Sequence, residues 1–340
     1  MSEEHIRERC SAIKNEFLSK YDRTKALYAS KAFLTIKMCR IIEEEGFGLD
    51  VVSGGELFTA IKADFPMKDV VFHGNNKSKK EIELAVSSGI GRIAIDNLAE
   101  LAMIQEVAKE LDKKQSILFR ISPGIEAGDT HEYIFTGQKD SKFGIPLEPN
   151  IIKKAIDIAI NSSHLEFMGF HFHVGSQLLR NDSHVAASRA LVRLMEYVKN
   201  EMDVSTKELN VGGGFGIRYT DEDEARTLAF FMDKVMETIT QGCKASNIEI
   251  PLVMIEPGRW IVGEAGITLY TIGVIKEIPG VRTYVSVDGG MTDNPRPSLY
   301  QSKYHAVLAN KATQEPQNKV TIAGKCCESG DILIDDIKLP

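Results

Sequence analysis

The strongest constraint on the fold is a repeated alternation between short β-branched segments and amphipathic helical segments over the first 255 residues. Eight strand candidates lie at 25–30, 48–52, 69–72, 92–95, 116–121, 166–173, 208–211 and 252–255. Helical patterns separate them, among them 79–87, 98–111, 151–161, 186–200 and 221–241. Strands that alternate with helices indicate a parallel sheet. The number of strand candidates is eight, the number in a closed barrel. This favours an α/β chain with a (β/α)8 TIM barrel over an open doubly wound sheet.

The pattern changes near Gly266. From Thr268 onward the segments TLYTIGVIKEI, VRTYVSVDGG and KVTIAGKCC alternate with period two and are separated by Gly, Pro and Asn, which is typical of strands. We therefore predict a barrel over residues 1–265, with a helical lead-in of about 20 residues, and a C-terminal β-domain over 266–340. Because both ends are abrupt, we expect a chain truncated at both termini, with an incomplete β-domain.

Composition excludes several classes of protein. The net charge of −7, from 41 basic and 48 acidic residues, offers no nucleic-acid surface. No apolar run is long enough for a membrane helix, and the N-terminal segment lacks the apolar core of a signal peptide. The five cysteines form no CxxC pair, so structural zinc is improbable and the thiols should be reduced. We expect a cytoplasmic enzyme that acts on a small molecule.

Barrel enzymes carry their chemistry at the C-terminal ends of the strands, and Lys31 follows the first strand candidate. Two interpretations stay open. The lysine could start a helix and extend its charge into water, or it could be held desolvated in the barrel mouth, where a neutral amine forms a Schiff base. Lys31 alone does not decide between them.

A run of three glycines, Gly212, Gly213 and Gly214, follows the seventh strand candidate. Without Cβ atoms, backbone N–H groups can approach an anion closely, and barrels often bind phosphate at this position. A plain tight turn is the alternative. The run lacks the GxGxxG spacing of a dinucleotide site.

Glu256 and two histidines follow apolar strands. A carboxylate after the run LVMI needs a cationic partner, which could be Arg259 or the protonated ring nitrogen of a cofactor. His171 and His173 point to the same side of their strand, but no carboxylate or third histidine at a useful spacing is evident, so we predict no metal. His173 could instead stack on a flat cofactor. The lysine, the carboxylate, the glycines and this histidine together fit pyridoxal 5'-phosphate.

Motifs along the chain agree with this cofactor: YASKAF at 28–33, GLDVVSGGE at 48–56, HEYIFTGQKDSKFGI at 131–145, HFHVGSQ at 171–177, GGGFG at 212–216, EPGR at 256–259, GGMTDNPRPSLY at 289–300 and CESGD at 327–331. With them the sequence resembles the alanine-racemase-like, fold-type III family of pyridoxal-phosphate enzymes. Within that family it is most similar to the diaminopimelate decarboxylases.

The resemblance implies a role for each matching residue. Four residues would be catalytic: Lys31 would form the Schiff base, His173 would stack on the cofactor ring, Glu256 would pair with the pyridine nitrogen, and Cys327 would protonate the carbanion. The other residues expected to contact or border the cofactor are Asp50, Arg120, Ser176, Gly212, Gly213, Gly214, Gly258 and Arg259. The residues expected to bind substrate are Arg259, Arg296, Tyr300 and Glu328.

The residue types in the later motifs suit these roles. A substrate with a carboxylate at each end requires arginines, and Pro295 and Pro297 stiffen the segment that presents Arg296. The acidic residues Glu328 and Asp331 favour the protonated thiol of Cys327, which suits a proton donor. Its neighbour Cys326 is better interpreted as buried packing.

The resemblance thus implies decarboxylation of meso-2,6-diaminoheptanedioate to L-lysine, with Cys327 reaching the neighbouring subunit's site in a head-to-tail homodimer. The alternatives are a decarboxylase of another basic amino acid or of a carboxylated polyamine, and an inactive homologue with a binding role.

Overall fold

A computed structural model describes residues 1–124 and 141–340 of the chain. The chain divides into two compact units. The first comprises Met1–Ile217 and Ala225–Gly266, and the second comprises Arg218–Glu224 and Ile267–Pro340. The boundary at residue 266 that the sequence indicates stays a prediction, and residues 218–224 group with the second unit.

The first unit is a closed barrel. Within the described residues its eight parallel strands are β1 (Thr24–Ala29), β2 (Gly48–Val51), β3 (Val70–Phe72), β4 (Arg92–Ile95), β5 (Gln115–Ser122), β6 (Leu165–His171), β7 (Glu208–Asn210) and β8 (Leu252–Ile255). Each strand pairs with the next, and β8 pairs with β1 through the register Ala26↔Ile255. A two-residue strand, Ile145–Pro146, extends the sheet beside the end of β5. The predicted (β/α)8 barrel is confirmed.

One helix precedes β1, and the others follow strands. They are α1 (Glu3–Ile13, continued by a π-turn at Lys14–Leu18), α2 (Ile36–Glu44), α3 (Gly54–Lys62), α4 (Lys79–Ser87), α5 (Leu98–Glu110), α6 (Pro149–Ile160), α7 (Asp182–Met202), α8 (Leu228–Ala245) and the short α9 (Arg259–Val262). Side-chain caps fix several starts, because an N-cap oxygen satisfies an otherwise free N–H. Ser78 and Glu81 form a reciprocal capping box at α4. Among the described helices, none combines the length and apolar character that a bilayer crossing requires.

The predicted start of the helix before β8 is wrong by seven residues. The sequence pattern favours a start at 221, whereas α8 begins at Leu228 after the N-cap Thr227, whose side chain accepts from the N–H of Phe230. The intervening residues form a turn instead. The carboxylate of Asp223 accepts from the backbone N–H of Tyr219 and of Thr220, so local side-chain hydrogen bonds compete successfully with the helix.

The barrel strands are closely packed. Leu27, Val71, Leu118 and Met254 form a buried cluster contributed by β1, β3, β5 and β8. Between β6 and β7 the approach requires a glycine: a Cβ atom on Gly169 would lie 1.9 Å from the carbonyl oxygen of Glu208.

The second unit is a mixed four-stranded sheet over the described residues, in the order β9 (Ile272–Ile278), β10 (Arg282–Val287), β11 (Asn318–Ala323) and β12 (Ile332–Leu339). β10 and β11 are parallel, and the outer pairs are antiparallel. A short helix, α10 (Arg296–Tyr300), lies between β10 and β11 in the chain. The core of the second unit is formed by six buried side chains: Val285, Val287, Val320, Ile322, Leu333 and Leu339. The three predicted strands are confirmed, and β12 is a further strand that the sequence pattern did not indicate.

A buried ion pair ties the loop after β3 to the end of β4. The Lys77 ammonium donates to the carbonyl oxygens of Gly74 and Ala94, at 2.8 and 2.7 Å, and to Glu100 Oε1 at 2.8 Å. The other Glu100 oxygen accepts from the Asp96 N–H at 2.7 Å. Burial lowers the pKa of Lys77, and the charge of Glu100 opposes that shift. Every donor of this buried ammonium therefore has a partner.

We predict that Lys77→Met lowers the free energy of unfolding by about 3–5 kcal/mol, because the Glu100 carboxylate is left buried without its counter-charge. Urea denaturation measures this change. Lys77→Met combined with Glu100→Gln should lose less than Lys77→Met alone. The control is Lys79→Met, since the ion pairs of Lys79 with Glu106 and Glu110 are exposed; it should leave stability nearly unchanged. Equal stability of Lys77→Met and Lys79→Met would contradict the assignment.

Candidate active site

The C-terminal ends of the barrel strands bring most of the predicted site residues to one mouth. Lys31 lies in the 3-10 turn Ser30–Ala32 directly after β1, and its side chain is exposed. The structure therefore does not bury the amine. The positive charge of Lys31 contributes to lowering the pKa of His173 and opposes the raised pKa of Asp50. The ammonium of Lys31 thus lies within electrostatic reach of both residues.

Glu256 follows β8 and is surrounded by donors from three other strands. Asn210 Nδ2 donates to Glu256 Oε1 at 2.6 Å, and His171 Nε2 lies 3.2 Å from Oε2. His73 Nε2 lies 2.8 Å from Oε1, at ion-pair distance. All of these side chains are buried. The carboxylate thus contacts these three residues and not Arg259, one of the two partners expected from the sequence.

His73, His171 and Glu256 each present a nitrogen or oxygen atom within 4.8 Å of the others, a spacing that could hold a metal ion. The expectation that no carboxylate or third histidine accompanies His171 is therefore wrong. The sequence separations hide the cluster, because its members follow β3, end β6 and follow β8. The contacts among the three residues already compensate the buried charge.

The electrostatics of this cluster favour an ionised carboxylate. Burial opposes ionisation of Glu256, but the interaction with His73 and the hydrogen bonds with both histidines hold its pKa well below the ordinary value. Burial lowers the pKa of His171 to about 3, so this ring is neutral and donates from Nε2. Burial also raises the pKa of Asp50 to about 6, with the charge of Glu256 adding to the shift.

Close packing determines the conformation of the glycine run after β7. The N–H of Gly212 donates to Asn210 Oδ1 at 2.9 Å, and the N–H of Gly213 donates to His173 Nδ1 at 3.3 Å. A Cβ atom on Gly213 would lie 2.1 Å from the carbonyl oxygen of Glu256, and one on Gly214 would lie 2.1 Å from that of Gly175. Gly214 also has a φ of +91°. No other residue type fits without moving the backbone.

His173 lies beside this run and is a neutral ring. Its Nδ1 atom accepts from Gly213, so that nitrogen carries no proton. Burial and the nearby charge of Lys31 lower its pKa well below the ordinary value.

Ser176 and Arg259 join the loops after β6 and β8, since Arg259 Nη2 donates to Ser176 Oγ at 3.1 Å. Gly258 brings the loop after β8 against the lysine turn. A Cβ atom there would lie 2.9 Å from Ala29 Cβ and 3.2 Å from Ala32 Cβ. The two loops therefore lie next to the segment that carries Lys31.

Asp50 and Arg120 are both buried at the ends of β2 and β5. Arg120 Nε lies 3.9 Å from Asp96 Oδ1, and its guanidinium group covers the Phe143 ring at 4.3 Å. Burial lowers the pKa of Arg120. In strand order Arg120 on β5 lies across the barrel from Lys31, whereas Asp50 lies on the strand next to β1.

The remaining predicted residues belong to the second unit. Arg296, half-buried at the start of α10, donates to Ser302 Oγ at 3.1 Å, and its guanidinium group lies 5.5 Å from the Tyr300 ring. Cys327 and Glu328 are exposed. Part of the motif at 131–145, residues 131–140, lies outside the described residues.

The interpretation of the cysteine pair needs correction. Cys326 is half-buried rather than packed in a core. The buried carboxylate of Asp331 accepts from the backbone N–H of Cys326 at 2.8 Å and from the N–H of Met291 at 2.6 Å. A hydrogen bond with Asp331 raises the pKa of the Cys326 thiol. The acidic neighbour expected to act on Cys327 thus faces Cys326.

Besides His73, two residues that support the site were not predicted from the sequence. Asn210 is the last residue of β7 and bonds both Glu256 and Gly212; its position at a strand end was the available signal. His184 lies in α7 and bonds the carbonyl oxygen of Gly213 at 2.8 Å. A buried histidine inside a helix gives no comparable signal in sequence.

Comparisons with known proteins agree with this geometry. Residues 3–263 match the family described as pyridoxal-dependent decarboxylase, pyridoxal binding domain. The diaminopimelate decarboxylase of Bacillus methanolicus is 48% identical over 98% of this chain and 77% of its own length. That of Bacillus subtilis is 47% identical over 98% of this chain and 76% of its own length. The comparisons do not support the prediction of truncation; the alignments with these two relatives cover 98% of this chain and 76–77% of the relatives' own lengths.

Solved structures give the same family. The diaminopimelate decarboxylase of M. jannaschii in complex with L-lysine superimposes with a TM-score of 0.89 at 34% identity, covering 100% of this chain and 77% of that one. A lysine/ornithine decarboxylase of Vibrio vulnificus, 22% identical with a TM-score of 0.79, shares the fold. The chain therefore belongs to the diaminopimelate decarboxylase family of pyridoxal-dependent decarboxylases.

Proposed function

We propose that this chain catalyses the pyridoxal 5'-phosphate-dependent decarboxylation of meso-2,6-diaminoheptanedioate to L-lysine and CO2. The observation that carries the proposal is the meeting of Lys31, His173 and Glu256 at one barrel mouth, in a chain 48% identical to a diaminopimelate decarboxylase. The presence of L-lysine in the M. jannaschii relative supports the product.

The residues of the mouth fit this cofactor. Lys31 offers an exposed amine for the aldehyde, and His173 offers a neutral ring for the flat face. Gly213, Gly214 and Gly258 pack so closely that a Cβ atom on any of them would clash with a neighbouring segment, and the backbone N–H groups of such glycine turns can bind a phosphate group. In the described ranges, the N–H of Gly214 makes no hydrogen bond within the protein. The Ser176 hydroxyl and the Arg259 guanidinium belong to the same set of anion-binding groups.

When bound, pyridoxal phosphate supplies an electron sink that accepts the electron pair of the broken bond between the α-carbon and the carboxylate. Glu256 supports that sink. Its carboxylate is held by Asn210, His171 and His73, and its negative charge keeps a proton on a ring nitrogen placed beside it. Lys31 would hold the cofactor through its amine.

We assign the substrate contacts to the second unit and to Arg259. Arg259, Arg296 and Tyr300 would bind carboxylate, and Glu328 would bind the distal amine, because an amino acid charged at both ends needs both signs of charge. The Cys327 thiol would donate the proton that the α-carbon takes up after CO2 departs. We further propose that Cys327 acts in the site of a second copy, in a head-to-tail homodimer, and that the enzyme works in the cytoplasm.

The alternative substrates are other basic amino acids and carboxylated polyamines. Incubation with meso-2,6-diaminoheptanedioate should release L-lysine and CO2 in equal amounts, measured by chromatography and CO2 trapping. Ornithine should react far more slowly, since it lacks the distal carboxylate that Arg296 is proposed to bind. A preference for ornithine would contradict the substrate, although not the cofactor. An inactive homologue would bind the cofactor and release no CO2 from either compound.

Lys31 is tested by borohydride reduction of the protein after incubation with pyridoxal phosphate. Because reduction fixes the cofactor to the amine that holds it, mass spectrometry should find the added mass on the peptide containing Lys31. Lys31→Ala should lose this mass. The control Lys37→Ala, which changes an exposed lysine of α2 that pairs with Glu3, should keep it. Attachment at another lysine in the unsubstituted protein would contradict the proposal.

Glu256→Gln tests the electron sink. The substitution keeps the shape of the side chain and removes its charge, so we expect kcat to fall by at least about 100-fold, the magnitude typical of losing one preorganised electrostatic group. Steady-state kinetics on meso-2,6-diaminoheptanedioate measure the change. Glu166→Gln is the matched control, because Glu166 lies near the start of β6 and bonds Ser116 and Lys207. A Glu256→Gln enzyme with unchanged kcat would exclude the assigned role.

A further inference from the structure

His184 is a buried histidine bonded to the glycine run. It lies in the first turns of α7 and is fully buried, with Nε2 2.8 Å from the carbonyl oxygen of Gly213. Because a carbonyl only accepts, Nε2 must carry the proton. Burial lowers the pKa of His184 to about 4, so the ring is neutral at physiological pH. The structure thus defines one tautomer for this residue.

Aromatic contacts fix the ring of His184. It stacks on Phe215 with centroids 5.3 Å apart and planes 21° apart, and it meets Phe231 edge-on at 6.3 Å. A phenylalanine would provide the same packing. What the imidazole adds is the Nε2–H donor. Among the described residues, no other group donates to the Gly213 carbonyl.

The bond to Gly213 constrains the next N–H group. A peptide unit is planar and trans, so the carbonyl of Gly213 and the N–H of Gly214 point in opposite directions. Fixing the carbonyl therefore fixes the direction of that N–H. The constraint matters because two adjacent glycines can reorient the peptide between them at little steric cost.

The neighbouring peptide units are held by other partners. Asn210 accepts from the N–H of Gly212, His173 accepts from that of Gly213, and the N–H of Leu178 donates to the carbonyl of Gly214 at 2.9 Å. These bonds do not fix the peptide unit between Gly213 and Gly214. The hydrogen bond from His184 fixes that unit.

We propose that His184 is a positioning residue that orients the peptide between Gly213 and Gly214 and so presents the N–H of Gly214 to the phosphate group of the cofactor. The inference rests on the proposed function and extends it to a residue that contacts neither cofactor nor substrate.

The test compares the affinities for pyridoxal phosphate and for pyridoxal, which lacks the phosphate group. Quenching of the emission of Trp260, the only tryptophan, can report binding. His184→Phe keeps the ring stack and removes the donor, so the peptide between Gly213 and Gly214 can turn away in the free protein. Binding must then return it to an orientation that leaves a buried carbonyl unsatisfied, and the Kd for pyridoxal phosphate should rise roughly 5- to 30-fold. The Kd for pyridoxal should stay within about twofold of its original value. Pyridoxal has no phosphate group for the N–H of Gly214 to contact, and its ring contacts are unchanged.

His184→Gln is the matched control, because its side-chain amide can donate from nearly the position of Nε2. It should bind pyridoxal phosphate almost as tightly as the unsubstituted protein. An equal loss of affinity for both compounds in His184→Phe would indicate a merely structural role and overturn the inference. An unchanged Kd for pyridoxal phosphate would overturn it as well.

A measurement on the unsubstituted protein covers the case in which His184→Phe does not fold. Nitrogen-15 spectra of labelled histidine should show His184 neutral and protonated at Nε2. A proton on Nδ1 instead would overturn the inference. If the unsubstituted protein binds neither pyridoxal phosphate nor pyridoxal, the proposed function itself fails, whereas tight binding that His184→Phe leaves unchanged rejects the inference alone.

Discussion

The mouth of the barrel is organised around one buried negative charge, that of Glu256. A carboxylate removed from water is costly unless it is paired and hydrogen-bonded, and here the partners come from three other strands. His73 follows β3, His171 ends β6 and Asn210 ends β7. Because the carboxylate must hold all of them, the ends of four strands are drawn to one point. The raised pKa of Asp50, due first to burial and then to this charge, is a consequence of the same arrangement.

Closure of the barrel brings the segment that carries Lys31 next to the segment that carries Glu256. Lys31 and Glu256 are far apart in the chain, but β1 pairs with β8 and the N–H of Ala29 donates to the carbonyl of Pro257 at 3.4 Å. Glycine permits the close approach on this side, since a Cβ atom on Gly258 would press against Ala29 and Ala32. An open sheet would place the first and last strands at opposite edges. The eightfold closure is therefore a condition for the site as well as for the core.

Much of this arrangement could be predicted from the sequence. Alternation of apolar strands and amphipathic helices determined the barrel, and the rule that chemistry follows strand ends selected Lys31, His173, the glycine run and Glu256. Partners across the barrel could not be predicted, because the contact of His73 with Glu256 depends on how strands curve together and not on spacing. The start of α8 was missed because a carboxylate, Asp223, caps a turn before it.

Local loop geometry set the other limit. Cys326 and Cys327 have nearly the same neighbours in the sequence, so the sequence does not show which of them faces Asp331. That depends on the path of the backbone. His184 shows a related limit, since its role depends on the inward face of α7 meeting a glycine run from another strand. Side chains that act through a backbone atom leave no residue pair for sequence reasoning to detect.

The most direct measurement follows the ionisation of Glu256 by carbon-13 spectroscopy of glutamate-labelled protein, with the signal identified by its loss in Glu256→Gln. The folded pKa is depressed below that of an ordinary glutamate, so the carboxylate signal should stay constant from about pH 8 to about pH 4, where an ordinary glutamate is already about half protonated. Stability contributed by this charge is then present above the ordinary glutamate pKa and is lost only as the pH falls through the depressed one. A signal that titrates between about pH 8 and pH 4 would contradict a depressed pKa for Glu256, and with it the electrostatic basis of the site.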